Sequence, residues 1–449
     1  MFGVLNVMRN FATKAVSRKK KRSLVKSKTL YAKKIKTSTL PIYDYPRSRP
    51  TDYRIYSWGL QEHGALGVDK KISFADNGTP YAGVPHRLSF GEFRRVKDVA
   101  CGYGFTAFAL KTGNSKIVFG CGINSDSQLG YNLKDEKLKV PIIKEPRPIH
   151  IPIKGNTTKV LGLAAGRAHL LVLTEEGLYA LGNNGYGQCG RPIISNENYL
   201  HSKAVSYIPD VRGDKITGVY AGQDHSMVLT EKGEVYAFGW GADGQTGLGH
   251  YNNEYKPSAV KGAIQGQKII KLACTADCVL ALSDQGKVFG WGNSEYRQLP
   301  ALGHNQQINL AIEVKACNSL GEIVDIAAGG SFCMALNSQG EVFVWGFGIL
   351  GLGPDVQSIT QPTLIPKTLF GANPYEPNSK VVKIFCGVSQ LGAITNYGHL
   401  YMWGRNKFGT LGIGSRNDQY FPLRVSIGAL VQKACCGVDH MVALCKPFI

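Results

Sequence analysis

The sequence has no run of about 18 uncharged apolar residues, which excludes a membrane-spanning helix. It also lacks the Gly-x-x-x-x-Gly-Lys-Ser/Thr pattern that cradles nucleotide phosphates, so it is not a P-loop hydrolase. No Cys-x-x-Cys pair occurs among its 11 cysteines, and the odd count argues against a disulfide framework. Cys101, Cys274, Cys386 and Cys436 recur at one slot before a bend, while Cys121, Cys278 and Cys333 sit in apolar runs. These read as small buried side chains in a reducing compartment, with no metal and no cofactor expected. No serine, histidine and acid recur as a set, so no catalytic residue is assigned, and hydrolytic or redox chemistry is not expected. Acids are nearly missing from residues 1–50, where Asp44 stands against 14 Lys and Arg. That segment carries +13 of the chain's net +20 and leaves +7 for the rest.

Glycine is abundant, at 54 of 449 residues, and it is spent on turns within a repeat. Residues 221–247, AGQDHSMVLTEKGEVYAFGWGADGQTG, are the clearest copy. Two short runs rich in Val, Tyr and Phe flank Thr230-Glu231-Lys232-Gly233, a turn that makes them a hairpin. The hairpin recurs at residues 174–177, 283–286, 337–340 and 395–398, with a looser copy at 111–114. The glycine that ends the next strand falls at 59, 122, 182, 239, 292, 346 and 404. Trp58, Trp291, Trp345 and Trp403 stand directly before it. A small residue and a glycine, as in Ala221-Gly222, mark a crowded bend before each hairpin. Length alone suggests two or three domains, but seven units of about four strands predict one all-β, seven-bladed propeller over residues 51–449. The strand at residues 53–58 and the last strand at 440–445 each lack a partner, so the N-terminal strand is expected to close the ring.

The strand ending in Trp-Gly, the Gln-Leu-Gly that follows (residues 128–130) and the Ala-Gly-x-x-His turn resemble the regulator-of-chromosome-condensation repeat family. The resemblance spans roughly residues 53–445. Three stretches, 185–190, 239–244 and 346–351, match the dinucleotide pattern Gly-x-Gly-x-x-Gly, but all are in phase with the repeat and no helix follows.

Residues 1–50 read as a basic targeting or disordered segment. Within them Phe2, Val4, Leu5, Val7, Met8 and Phe11 interleave with Arg9, Lys14 and Arg18 and with no acid, the composition of an amphipathic mitochondrial presequence. The competing reading takes Arg18-Lys19-Lys20-Lys21-Arg22 as a nuclear or nucleic-acid-binding signal. A solvated arm without a partner is the plainer third reading. Lys134, Lys137, Lys139 and Lys144, in a proline-bearing inter-repeat segment, are candidate contacts to nucleic acid or lipid, or else a solvated loop.

His169, His225 and His440 occupy one repeat slot, filled elsewhere by Phe105, Phe332, Cys278 and Gln390, which suits a packing residue. The preceding loop residue is Asp224, Asp277 or Asp439 in three units, with Arg167 nearby. Such acids commonly accept backbone N–H bonds within their own turn. The family's founding member is an exchange factor for a nuclear small GTPase, and loop acids of the Gly-x-Asp-His kind contribute to its contact. The resemblance therefore implies Asp224 with His225, Asp439 with His440, and Arg167 as GTPase contacts. No counterpart of that protein's wedge-like insertion is visible. Together with the presequence-like start, the chain resembles the family's mitochondrial, exchange-factor-like branch, in the matrix or at the inner membrane. That branch implies exchange on a dynamin-like mitochondrial fusion GTPase, or a binding role in ribosomal RNA maturation and ribosome assembly with its assembly factors. A nuclear, chromatin-bound exchange factor is the alternative.

Overall fold

A computed structural model describes residues 53–449 apart from 69–72, 75–77, 112–116, 131–140, 156, 300–305 and 449. Each repeat folds as an antiparallel sheet because its strands are short, the second and third are joined by a tight turn, and those inner strands are apolar on both faces. Blade three shows the plan: Ile216–Ala221, His225–Thr230, Val235–Gly239 and Glu254–Ala259 pair in sequence order. Five other four-stranded sheets repeat it, giving blades one to six over residues 96–148, 160–208, 216–259, 269–313, 323–365 and 381–424. The second strand of each blade is buried along its whole length, as in His169–Thr174 and Phe332–Asn337. Half-buried alternation is lost there because adjacent blades cover both faces of the strand.

The seventh blade closes the ring as expected, with more chain than one strand. Arg54–Leu60 pairs with His440–Lys446 from Arg54 opposite Cys445 to Gly59 opposite His440. Pro80–Arg87 and the short Ser73–Phe74 then extend the sheet on its outer side, and Leu430–Cys436 is its innermost strand. Both chain ends are thereby tied into one sheet of the described ring.

The core lies between blades. One apolar cluster runs from Met227 in blade three through Trp291 in blade four to Trp345 in blade five. The tryptophans explain the repeat motif. Trp291 Nε1 donates to the carbonyl of Gln245 at 2.9 Å, Trp345 Nε1 to Gln298 at 2.7 Å and Trp58 Nε1 to Thr410 at 2.8 Å. These three indoles thus satisfy their polar atoms on the preceding blade's third-to-fourth-strand loop while burying their rings, whereas the Trp403 nitrogen has no partner among the described residues. The glycine after the tryptophan slot must be glycine: Gly239 has φ +111°, and a Cβ would lie 2.6 Å from the Asp224 carbonyl.

In every blade the bend after the first strand and the loop after the third emerge on one side, here the bend face. The hairpins emerge on the other. The innermost strands surround a central shaft.

Candidate partner-binding face

The bends form an interlocked ring at one mouth of the shaft. A Cβ on Gly222 would sit 2.0 Å from the His225 ring and 2.7 Å from the Ala276 carbonyl in the next bend. The bend glycine is therefore a close approach between neighbouring bends. Backbone bonds link them: Arg167 N–H to Gln223 O at 2.8 Å, Thr275 N–H to Ala328 O at 3.1 Å and Gly330 N–H to Val388 O at 3.0 Å. Residues held on such bends lose little entropy when a partner binds.

The bends carry Arg167, Asp224, Asp277 and Asp439. Arg167 grips Asp224 of the next blade with two bonds, Nη2 to Oδ2 at 2.5 Å and Nε to Oδ1 at 3.2 Å. Burial raises the Asp224 carboxyl, and the guanidinium opposes the rise. Asp277 accepts one bond from Gln245 Nε2 at 3.1 Å, and burial with the nearby Asp243 pushes its carboxyl up to about 6. Burial likewise raises Asp439, against His63 and Lys407. None of the three carboxylates caps its own turn among the described residues, so the simple turn reading of these acids is corrected. Asp224, 7% exposed, is spent between blades, while Asp277 and Asp439 are half-buried.

The histidines behave otherwise. His225 and His440 are 0% and 1% exposed, so neither ring reaches a partner, and their reading as contacts gives way to packing. Burial holds His169, His225 and His440 neutral, with pKa values lowered to about 3. Two of the rings point at the residue following the same slot in the next blade. His440 Nε2 meets Thr106 Oγ1 at 2.8 Å, and His169 Nε2 meets Ser226 Oγ at 3.0 Å. Cys278 meets Cys333, sulfur to sulfur, at 3.9 Å by the same rule. His225 falls opposite Val279 by that rule, and neither of its nitrogens has a partner. Val279→Thr should supply the missing hydroxyl and stabilise the ring by about 1 kcal/mol, measured by denaturant midpoint at pH 7.5. An unchanged or lower midpoint counts against the pairing rule.

The profile of the regulator of chromosome condensation (RCC1) repeat matches residues 52–109, 175–229, 232–282, 285–336, 339–394 and 397–444. The chain belongs to the RCC1 repeat family. It is 44% identical over 427 residues to the mouse and human proteins named RCC1-like G exchanging factor-like protein, covering 91% of this chain and 91% and 90% of theirs. The crystal structure of human WBSCR16 superposes with a TM-score of 0.82 at 44% identity, covering 88% of this chain and all of that one. Yeast RCC1 (Prp20), bound to Kap60, has a TM-score of 0.71 at 19% identity over 89% of this chain and 90% of that one, a likeness of fold.

The third-to-fourth-strand loops of the RCC1 repeat add contacts that sequence reading missed. Tyr186 packs edge-on against Trp240 at 4.4 Å, Tyr296 stacks on Phe347 at 5.5 Å and 21°, and Asn183 Nδ2 bonds Asp126 Oδ1 at 2.8 Å. In each pair one loop residue meets the position after the strand-ending glycine in the next blade. The recurrence of Tyr186, Tyr296 and Phe408 two residues before the Gln or Thr of the motif was the available signal.

The shaft holds a cavity of about 310 Å³ lined by Cys101, Cys274, Cys386, Cys435 and Cys436. Three of the four bend-slot cysteines are therefore half-buried at the shaft rather than closed in the core, and desolvation there raises their thiols. Deeper in, Lys433 bridges to Asp98 at 2.5 Å and Lys271 pairs with Asp325, tying innermost strands across blades. Among the described residues no group of three or more His, Cys, Asp or Glu is placed to hold a metal ion. No helix among them is long and apolar enough to cross a membrane. Lys144 is exposed on the strand Ile142–Pro148. Lys134, Lys137, Lys139, Arg9, Lys14 and Arg18 lie outside the described residues.

Proposed function

We propose that this chain is a mitochondrial, exchange-factor-like binding protein whose bend face engages a GTPase of the dynamin-like fusion machinery. The observation that carries this reading is the convergence of Arg167, Asp224, Asp277 and Asp439 on interlocked bends at one mouth of the shaft. Similarity to proteins named as exchanging-factor-like supports exchange as the activity. Exchange needs no bond making in the protein: a rigid face that binds the nucleotide-free GTPase better than the loaded form lowers nucleotide affinity by that difference. The acid-free, amphipathic composition of the first 18 residues supports the mitochondrial setting.

The net +13 of residues 1–50, with Lys134, Lys137, Lys139 and Lys144, favours a second reading. In it the chain binds ribosomal RNA or its assembly factors during mitochondrial ribosome assembly, and RNA affinity falls steeply with salt. The same charge suits the anionic inner-membrane surface. Fractionation of the full-length chain, with sequencing of its mature N-terminus and of RNA retained at physiological salt, separates the readings. A processed mitochondrial protein without RNA, whose capture of a nucleotide-free GTPase weakens on Asp224→Asn, supports exchange. Ribosomal RNA that is lost when Lys134, Lys137 and Lys139 become Gln puts assembly first. An unprocessed nuclear protein overturns the mitochondrial setting.

A further inference from the structure

Beside the shaft mouth, a cavity of about 460 Å³ opens on the bend face where blades four and five meet. One wall is the stacked pair Tyr296 and Phe347, 40% and 42% exposed, so large aromatic faces stand in water. Two carboxylates line the same cavity. Asp277 has one oxygen fixed by Gln245 and the other without a protein partner among the described residues, and Glu295 has no ion pair there. Arg405 lines the far side, and its guanidinium is likewise unpaired. Aromatic faces and a carboxylate in one cavity match a guanidinium, which stacks flat on a ring and bonds in its own plane to an acid.

We propose that this cavity receives one arginine side chain from a protein partner, its plane against the face of Phe347 that Tyr296 leaves open and its N–H groups on the open oxygen of Asp277. Arg405 then meets an acid flanking that arginine. A stacked nucleobase fits the rings but not the charge, since its phosphates would lie among Asp277 and Glu295, with Asp243 close behind. The proposal rests on the bend face being the partner-binding face, and it does not require exchange.

The test uses the full-length chain and the peptide acetyl-Gly-Arg-Gly-amide, followed by saturation-transfer NMR and titration at pH 7.5. The arginine peptide is expected to bind about tenfold or more tightly than its citrulline twin, equal to about 1.4 kcal/mol. Asp277→Asn and Phe347→Ala are each expected to remove most of that preference, and Phe347 is exposed enough for its variant to fold. Equal binding of the two peptides, or a preference unchanged in both variants, overturns the proposal. So does an oligouridine that displaces the peptide and is itself lost on Arg405→Gln, which marks a nucleic-acid site. GDP release from a GTPase is read separately, so failure here leaves the exchange reading to its own test.

Discussion

Deleting residues 53–60 is expected to abolish cooperative folding of the propeller, whereas deleting residues 1–40 leaves its melting temperature unchanged. The strand Arg54–Leu60 is the joint between the chain's two ends, pairing with His440–Lys446 on one side and Pro80–Arg87 on the other. Ile55, Tyr56, Trp58 and Leu60 are all buried, and each contributes roughly 1.5–3 kcal/mol, so the strand's removal costs on the order of 6–12 kcal/mol. That equals most of the stability of an ordinary domain, about 5–15 kcal/mol. It also exposes two unpaired strand edges, which promotes aggregation. Calorimetry of the two truncations decides: a single sharp transition at the parent temperature without residues 53–60 contradicts the closure described above.

Acid should weaken the ring strongly between pH 7 and pH 5. His169, His225 and His440 titrate near 3 in the folded chain against an ordinary value of 6.5. Below 6.5 the unfolded chain binds protons that the folded chain refuses, so stability is complete above 6.5 and is lost as pH falls toward 3. At pH 5 this amounts to about 2 kcal/mol per histidine, or roughly 6 kcal/mol for three. Asp277 works in the opposite sense. Its folded carboxyl near 6, against an ordinary 3.8, takes up a proton first and returns about 1.4 kcal/mol by pH 5. Asp224 and Asp439, whose carboxyls burial also raises, add to that return, so the net loss is at most about 4–5 kcal/mol. Denaturant titrations at the two pH values measure it. His225→Phe, which places in blade three the side chain that blades one and five already carry there, should remove about one histidine's share of the slope. An unchanged slope in that variant contradicts the buried, neutral state of His225.

The blade count, the hairpins, the bend and the closure of the ring were legible because each is fixed within one repeat or at the chain ends. Glycine at a strand end and tryptophan before it are local requirements, and they recur in phase. The pairing partners were not legible, because each crosses to another blade. Whether His225 finds a hydroxyl depends on residue 279, 54 positions on, and Tyr296 meets Phe347, 51 positions on. The acids of the bends show the same limit. Read within its own turn, Asp224 is a turn acid, but across the ring it is the partner of Arg167, 57 residues earlier in the chain. The slot of the histidines beside these acids was legible as a packing position, and only the resemblance, through the Gly-x-Asp-His run that places both residues together, implied surface contacts. Strand pleating separates them: the aspartate ends the loop, and the histidine begins a strand buried on both faces.

The most direct test is the rate of GDP release from a purified mitochondrial dynamin-like GTPase, with and without this chain at physiological salt. A rate that rises with concentration of the chain, and falls back to the intrinsic value with Asp224→Asn while that variant melts as a normal propeller, is the expected result. A rate unaffected by the parent chain, or accelerated equally by Asp224→Asn, contradicts exchange through the bend face.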